Sequence, residues 1–122
     1  MPNYFKLSDK RTCYCDCDDT LIMWDADVHD PMSKVIEVMN GNLVVYFHKE
    51  HIQLIKNLHA IGWNIIIWSQ GGSDHAEKVM QACGLENYTH AVLPKPENYI
   101  DDLPFEAQGI PRKYRAFDKD KK

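Results

Sequence analysis

The stretch Trp63–Trp68 constrains the fold of this chain more than any other segment. It reads W-N-I-I-I-W, a nearly continuous apolar run with the length of a strand. Such a run is typical of a strand buried on both faces, as in a parallel sheet covered by helices, and it lacks the alternation of a strand with one face in water. The polar, glycine-rich segment Ser69–Ser73 follows directly. The run therefore predicts a central parallel strand that ends in a loop.

The segments around this run alternate between strand-like and helix-like patterns. We predict a first strand at Thr12–Cys17, a hairpin at Lys34–Phe47, helices at His48–Ile61 and Asp74–Cys83, and short strands at Ala91–Leu93 and Asn98–Ile100. The hairpin prediction depends on Asn40-Gly41, because both residues of the tightest hairpin turns take positive φ. Asp74 and Glu77 predict a capping box on the second helix. With right-handed crossovers, this order predicts an α/β fold: a three-layer sandwich with a mainly parallel, Rossmann-like sheet and a small β-hairpin flap.

Size and composition describe one soluble domain. The 122 residues suit a single domain spanning 1–122, and 44% hydrophobic with 26% charged residues is typical of globular proteins. A net charge of −4 argues against broad non-specific nucleic-acid binding, while leaving a local basic patch open. Met1–Arg11 has no apolar signal-peptide core, and no apolar run reaches membrane-spanning length. We therefore expect a cytoplasmic protein without membrane association.

Three of the four cysteines, Cys13, Cys15 and Cys17, alternate along the first predicted strand, and Cys83 stands apart. Residues two apart on one extended strand are poorly placed for a disulfide. A C-x-C-x-C pattern can bind a soft metal, but no His or Cys partner stands at a finger-like spacing. The favoured interpretation is reduced thiols buried in a core strand, which fits a reducing cytoplasm.

Carboxylates crowd together just behind this strand, where Tyr14–Leu21 reads Y-C-D-C-D-D-T-L. A strand period of two places Asp16 and Asp18 on the same face. Two like charges held that close raise each other's cost of ionising, unless a cation lies between them. Mg²⁺ is the natural candidate, since it takes oxygen ligands from one or two carboxylates. The alternative is a solvated acidic turn.

Polar segments follow several of the predicted strands, and ligands of open α/β sheets bind at the carboxyl ends of the strands. These segments are Asp16–Thr20, Ser69–Ser73, Lys95 and Asp101-Asp102. Trp24 either lines this region or packs over its own loop. The histidines at 48, 51 and 59 share no face with a carboxylate in a known metal-binding arrangement, and we interpret them as surface residues.

Taken in order, these segments resemble the four motifs of the haloacid dehalogenase (HAD) superfamily, in its small capless phosphatase type. The resemblance spans Tyr14–Pro104. The motifs stand here as D-C-D-D-T at Asp16–Thr20, a hydrophobic strand ending in Ser69, the lone Lys95, and Y-I-D-D ending in Asp101-Asp102. Each motif is weak alone, and the order and spacing of all four make the match specific.

The resemblance implies a Mg²⁺-dependent phosphomonoester hydrolase that acts through an aspartyl-phosphate. Asp16 would be the nucleophile, Asp18 the general acid and base, and Lys95 the cation that balances the nucleophile and the phosphate. Groups binding the phosphate would be Thr20, Ser69, Gln70 and Gly71. Ligands of the metal would be Asp16, the Asp18 carbonyl, Asp102 directly, and Asp101 in the outer sphere.

The sequence leaves no room for a large cap domain, so the expected site is open. An open site suits a bulky phosphorylated substrate, such as a phosphoprotein, a glycan or a nucleic-acid end. A homo-oligomer in which the 34–47 hairpin covers a neighbour's site is a second arrangement. Two other functions stay open: a weakly active or non-catalytic HAD-fold binding module, and a polynucleotide-end phosphatase with the basic tail at 112–122 on the phosphates. Nucleic acid is not the favoured partner.

Overall fold

The structure is a computed structural model, and it describes residues 7, 9–24, 33–38 and 41–104. The strands are β1 (Thr12–Cys15), β2 (Ile22–Met23), β3 (Lys34–Val38), β4 (Gly41–Phe47), β5 (Asn64–Ser69) and β6 (Ala91–Pro94). The helices are α1 (Lys49–Ala60) and α2 (Ser73–Ala82), and a 3₁₀ turn covers Glu86–Tyr88. The chain therefore has a mixed α/β fold.

The apolar run forms the central strand of a parallel sheet, as predicted. The strand order is β1-β5-β6, and both neighbours of β5 run parallel to it. Three consecutive isoleucines of β5, at positions 65, 66 and 67, are at most 1% exposed. A strand buried on both faces has no polar side to alternate with, which explains the continuous apolar sequence.

Both helices contribute to one apolar core with the same set of strand residues. Ile55 of α1 and Val79 of α2 are buried with Ile65 and Ile67 of β5. Ile66 lies outside this cluster, since alternate residues of a strand face opposite sides. The described residues thus form two layers, the sheet and one layer of helices; the third layer of the expected sandwich is not seen in them.

The predicted hairpin is confirmed by the antiparallel pairing of β3 with β4, in a sheet with the order β2-β4-β3. Asn40, part of its expected turn, lies outside the described residues. The inward side chains Ile36, Val38 and Val45 belong to the same core as the parallel sheet. The hairpin is therefore packed against the body of the protein and does not simply project from it.

Two local predictions are wrong. The capping box at Asp74 does not form, because α2 begins at Ser73 and its N-cap is Gly72, without a side-chain cap. The expected strand Asn98–Ile100 does not form either. Ile100 is fully exposed, and the short segment lies between two prolines, which have no N–H group for a sheet.

The histidine prediction also needs correction, because His48 and His51 are buried. Their rings stack with centroids 3.7 Å apart. His48 is the N-cap of α1, where its Nδ1 accepts a hydrogen bond from the backbone N–H of His51. His51 Nδ1 lies 2.8 Å from the carbonyl oxygen of Thr20, so this pair connects α1 to the acidic loop.

All four cysteines are free thiols, as expected, but Cys13 is only half-buried and Cys17 lies beyond the end of β1. Cys15 and Cys17 are buried in the core, and burial raises the pKa of both. Burial likewise raises the pKa of Cys83, to about 12. These thiols are neutral and pack as small apolar side chains.

Candidate active site

The acidic loop after β1 is held by main-chain hydrogen bonds. The carbonyl oxygen of Cys17 accepts from the N–H groups of Thr20, Leu21 and Ile22, at 3.2, 2.8 and 3.1 Å. Asp19 takes a left-handed conformation with φ of 60°, which Asp tolerates better than most residues. The loop thus turns tightly about one carbonyl. Because β1 ends at Cys15, the strand argument that placed Asp16 and Asp18 on one face does not extend to them.

Asp16 is contacted by two other predicted site residues. Lys95 Nζ lies 3.1 Å from its Oδ1, and the Thr20 hydroxyl donates to its Oδ2 at 3.2 Å. The Lys95 backbone N–H donates to the carbonyl oxygen of Ser69 at 2.9 Å, which fixes the lysine just beyond β6. The Asp16 and Lys95 side chains are 33% and 28% exposed, so the pair is open to a ligand.

Asp18 has partners of its own that sequence reasoning missed. The Trp24 indole N–H donates to Asp18 Oδ1 at 2.9 Å, and His75 Nε2 lies 3.0 Å from the same oxygen. Trp24 therefore contacts the site and does not merely cover its loop. His75 belongs to no motif, and only the turn between β5 and α2 brings it to Asp18. The sequence contains no signal for that contact.

Ser69 and the glycines form the turn into α2. The buried Ser69 Oγ accepts from the Gly71 N–H at 2.9 Å, which leaves its hydroxyl hydrogen available for another acceptor. A Cβ at Gly71 would lie 3.3 Å from Ser69 Oγ and 3.4 Å from the His75 ring, so a side chain here would crowd the turn. Gln70 is exposed in the same turn. The first N–H groups of α2 face an anion favourably, because this end of a helix is partly positive.

An open pocket of about 590 Å³ adjoins this turn. Its walls include Asp18, Val38 of β3, the start of α2 at Gly72–His75, and Pro94 of β6. The hairpin, the acidic loop, the start of α2 and the end of β6 thus border one open space. This volume is typical of sites for small molecules.

The acid pair Asp101-Asp102 is not brought into this group. Both residues are exposed, and Asp101 Oδ1 accepts from the backbone N–H of Leu103 in a local turn. Across residues 7, 9–24, 33–38 and 41–104, no three His, Cys, Asp or Glu side chains are grouped so as to hold a metal ion. The structure therefore gathers Asp16, Asp18, Thr20, Ser69, Gly71 and Lys95 at one edge, and leaves Asp101 and Asp102 outside that group.

Comparison with family models, with curated proteins and with solved structures gives no match. In the described part of the chain, neither helix has the length and apolar character needed to cross a membrane.

Proposed function

We propose that this protein is a magnesium-dependent phosphomonoester hydrolase with a capless, three-layer HAD-like fold. The observation that carries the proposal is the contact of Lys95 and Thr20 with the two oxygens of Asp16. Lys95 follows β6 and is distant in sequence from the loop that carries Asp16 and Thr20. The two segments meet beside an uncapped helix N-terminus at the carboxyl edge of a parallel sheet. Ligands of such sheets bind at this edge.

In the proposed reaction, an oxygen of Asp16 attacks the phosphorus, and the bond from phosphorus to the leaving oxygen breaks. The leaving oxygen takes the electron pair of that bond and a proton from Asp18. Lys95 balances the charge of Asp16 and the phosphate, while the Ser69 hydroxyl, Thr20 and the N–H groups of the turn at Gln70-Gly71 bind phosphate oxygens. Water, deprotonated by Asp18, then releases phosphate and regenerates Asp16.

The donor set suits magnesium in part. Asp16 and the main-chain carbonyl of Asp18 offer the hard oxygens that Mg²⁺ prefers, and this ion commonly keeps several waters. Asp102, with Asp101 in the outer sphere, would complete the set if their segment approaches Asp16. When bound, the ion would offset the repulsion between carboxylate and phosphate and orient the phosphoryl group. Calorimetry with Mg²⁺ should show binding by the wild type that weakens in Asp16→Asn, independently of turnover.

The cellular compartment, the substrate and the oligomeric state are also proposals. Four free thiols favour a reducing, cytoplasmic setting. The substrate would be a phosphorylated small molecule or an exposed phosphate on a larger one, and a homo-oligomer through the hairpin stays open. The basic tail at 112–122, on which the polynucleotide-end alternative depends, lies outside the described residues.

The test is hydrolysis of an aryl phosphate with Mg²⁺ by the wild type and by Asp16→Asn. We expect the variant to lose more than about a thousandfold in turnover, because the nucleophile is removed. Glu86→Gln, an exposed acid on the 3₁₀ turn, is the matched control and should keep full activity. Activity of Asp16→Asn within tenfold of the wild type would contradict the proposal. Absence of turnover with aryl and other phosphates would favour the binding-module alternative.

A further inference from the structure

The side chain of Asp18 is held asymmetrically. Both of its donors, the indole N–H of Trp24 and the Nε2 of His75, contact Oδ1, at 2.9 and 3.0 Å. A carboxylate oxygen only accepts hydrogen bonds, so the His75 ring presents an N–H there. In the described part of the chain, Oδ2 of Asp18 has no hydrogen-bond donor.

The two donors come from separate parts of the chain. Trp24 follows β2, and its backbone N–H also donates to Asp19 Oδ1 at 3.4 Å, within the acidic loop. His75 lies in the first turn of α2, with a side chain 16% exposed, whereas that of Asp18 is 38% exposed. Two donors in different elements restrict the rotation of the carboxylate much more than one donor does.

Such a restriction has little value for stability at a partly exposed site, where hydrogen bonds and ion pairs contribute little. It has a large value for proton transfer, because the acid must lie within hydrogen-bond reach of the leaving oxygen. A displacement of about 1 Å costs a reaction on the order of a hundredfold.

We propose that His75 and Trp24 are positioning residues that fix Asp18 through Oδ1, so that Oδ2 is the oxygen that exchanges the proton. This inference rests on the proposed phosphatase function. When the bond from phosphorus to the leaving oxygen breaks, the proton on Oδ2 moves to that oxygen and the alcohol departs neutral. In the second step, Oδ2 takes a proton from the attacking water, which restores the acid for the next cycle.

The arrangement also indicates the class of substrate. A phenolate is a weak base and leaves without much help from an acid. An alkoxide is a strong base, so an alkyl ester needs a proton from the acid in the transition state. A carboxyl group fixed by two donors is therefore useful for an alkyl ester. The pocket beside it, between Val38, Ser73 and Pro94, would take the alcohol part of an alkyl phosphomonoester.

The test compares kcat/KM for p-nitrophenyl phosphate and for an alkyl ester, glycerol 2-phosphate, in His75→Ala, His75→Gln and Trp24→Phe. Since kcat/KM reports the step in which the alcohol leaves, His75→Ala should lose about thirtyfold or more on the alkyl ester and less than about threefold on the aryl ester. Trp24→Phe keeps the ring and removes the donor, and should show the same selectivity. Gln has an amide N–H at nearly the reach of His Nε2, so His75→Gln should recover most of the alkyl activity.

Lys78→Gln, an exposed position on α2, is the matched control and should leave both constants unchanged. Equal losses on the two esters in His75→Ala and Trp24→Phe would overturn the inference, since a merely structural role does not distinguish leaving groups. The inference would also be overturned if His75→Gln showed the same reduced kcat/KM on the alkyl ester as His75→Ala. Absence of turnover in the wild type would instead contradict the phosphatase function, and the positioning role with it.

Discussion

Lys95 contacts the site through two groups that a substitution can separate. Its backbone N–H binds the Ser69 carbonyl, and its Nζ lies beside Asp16. Lys95→Met keeps the first contact and removes the charge. We expect turnover to fall by about a hundredfold, because a cation facing the transferred phosphoryl group is lost. The free energy of unfolding should change by less than about 1 kcal/mol, as for other partly exposed ion pairs.

Kinetics on the aryl phosphate and urea unfolding check this prediction together. Lys78→Met removes an exposed lysine of α2 and serves as the control for net charge. A Lys95→Met protein with nearly wild-type turnover would exclude Lys95 from the proposed chemistry. A variant that is inactive because it is unfolded would be recognised by its unfolding curve.

At single residues, the sequence predicts what its motifs contain and misses what the fold adds. Asp16 and Lys95 stand out in the sequence because an acid cluster and a lone lysine follow predicted strands. The partners of Asp18 do not stand out, since Trp24 and His75 reach it only through the shape of two turns. The burial of His51 is not predicted for a similar reason, because the pattern of a helix does not indicate which of its residues a distant loop will cover.

The hairpin offers a prediction at the level of an element. Ile36 and Val35 are neighbours on β3, yet Ile36 is 6% exposed and belongs to the core, while Val35 is 59% exposed. Ile36→Ala should lower the free energy of unfolding by about 2–4 kcal/mol, because it leaves a cavity. Val35→Ala should cost less than about 1 kcal/mol. Urea unfolding of both variants measures the difference, and a similar small cost for both would mean that the hairpin is a detachable flap.

Among the elements, the apolar run, both helices and the short strand at Ala91–Leu93 are confirmed, whereas the short strand at Asn98–Ile100 is not. The predicted bounds of β5 and both helices agree with the structure within one residue at each end. The hairpin followed from its turn sequence and its β-branched strands. The predicted strand at Asn98–Ile100 is absent from the structure. The segment is short and lies between two prolines, and the sequence does not identify a strand with which it could pair. The capping box failed because α2 begins one residue earlier than Asp74.

For the whole molecule, the partly buried thiol of Cys83 predicts a dependence of stability on pH. Burial raises the pKa of Cys83 from 9.0 to about 12. A raised pKa in the folded state means that the unfolded chain loses its proton first. The stability contributed by this thiol is therefore complete below pH 9 and declines between about pH 9 and pH 12, by about 1.4 kcal/mol per pH unit.

Urea unfolding of the wild type and of Cys83→Ala across this range isolates the effect, because lysines and tyrosines titrate equally in both. The variant should lose stability with pH less steeply than the wild type, and the two should show parallel behaviour below pH 9. Identical slopes above pH 9 would show that Cys83 is not protected from ionisation in the folded protein.

At this scale the predicted parallel sheet and its two helices are confirmed, whereas the third of the three predicted layers is not seen in the described residues. Residues that face opposite sides of β5 are equally apolar, so composition does not tell which face a helix covers. In the structure, Ile66 is buried opposite the helices, while Tyr14 beside it is 51% exposed. The prediction of a third layer therefore stays a prediction.

The turn about the Cys17 carbonyl has a consequence for which natural variants can share this loop. Its three hydrogen bonds use only main-chain atoms. They therefore do not depend on the residue type at position 17, and any small side chain that fills the same space preserves them. They are sensitive instead to proline at positions 20, 21 or 22, since each of these residues supplies an N–H group. Substitution should thus be limited at position 17 to small side chains that fit its fully buried space, and at positions 20, 21 and 22 to residues other than proline.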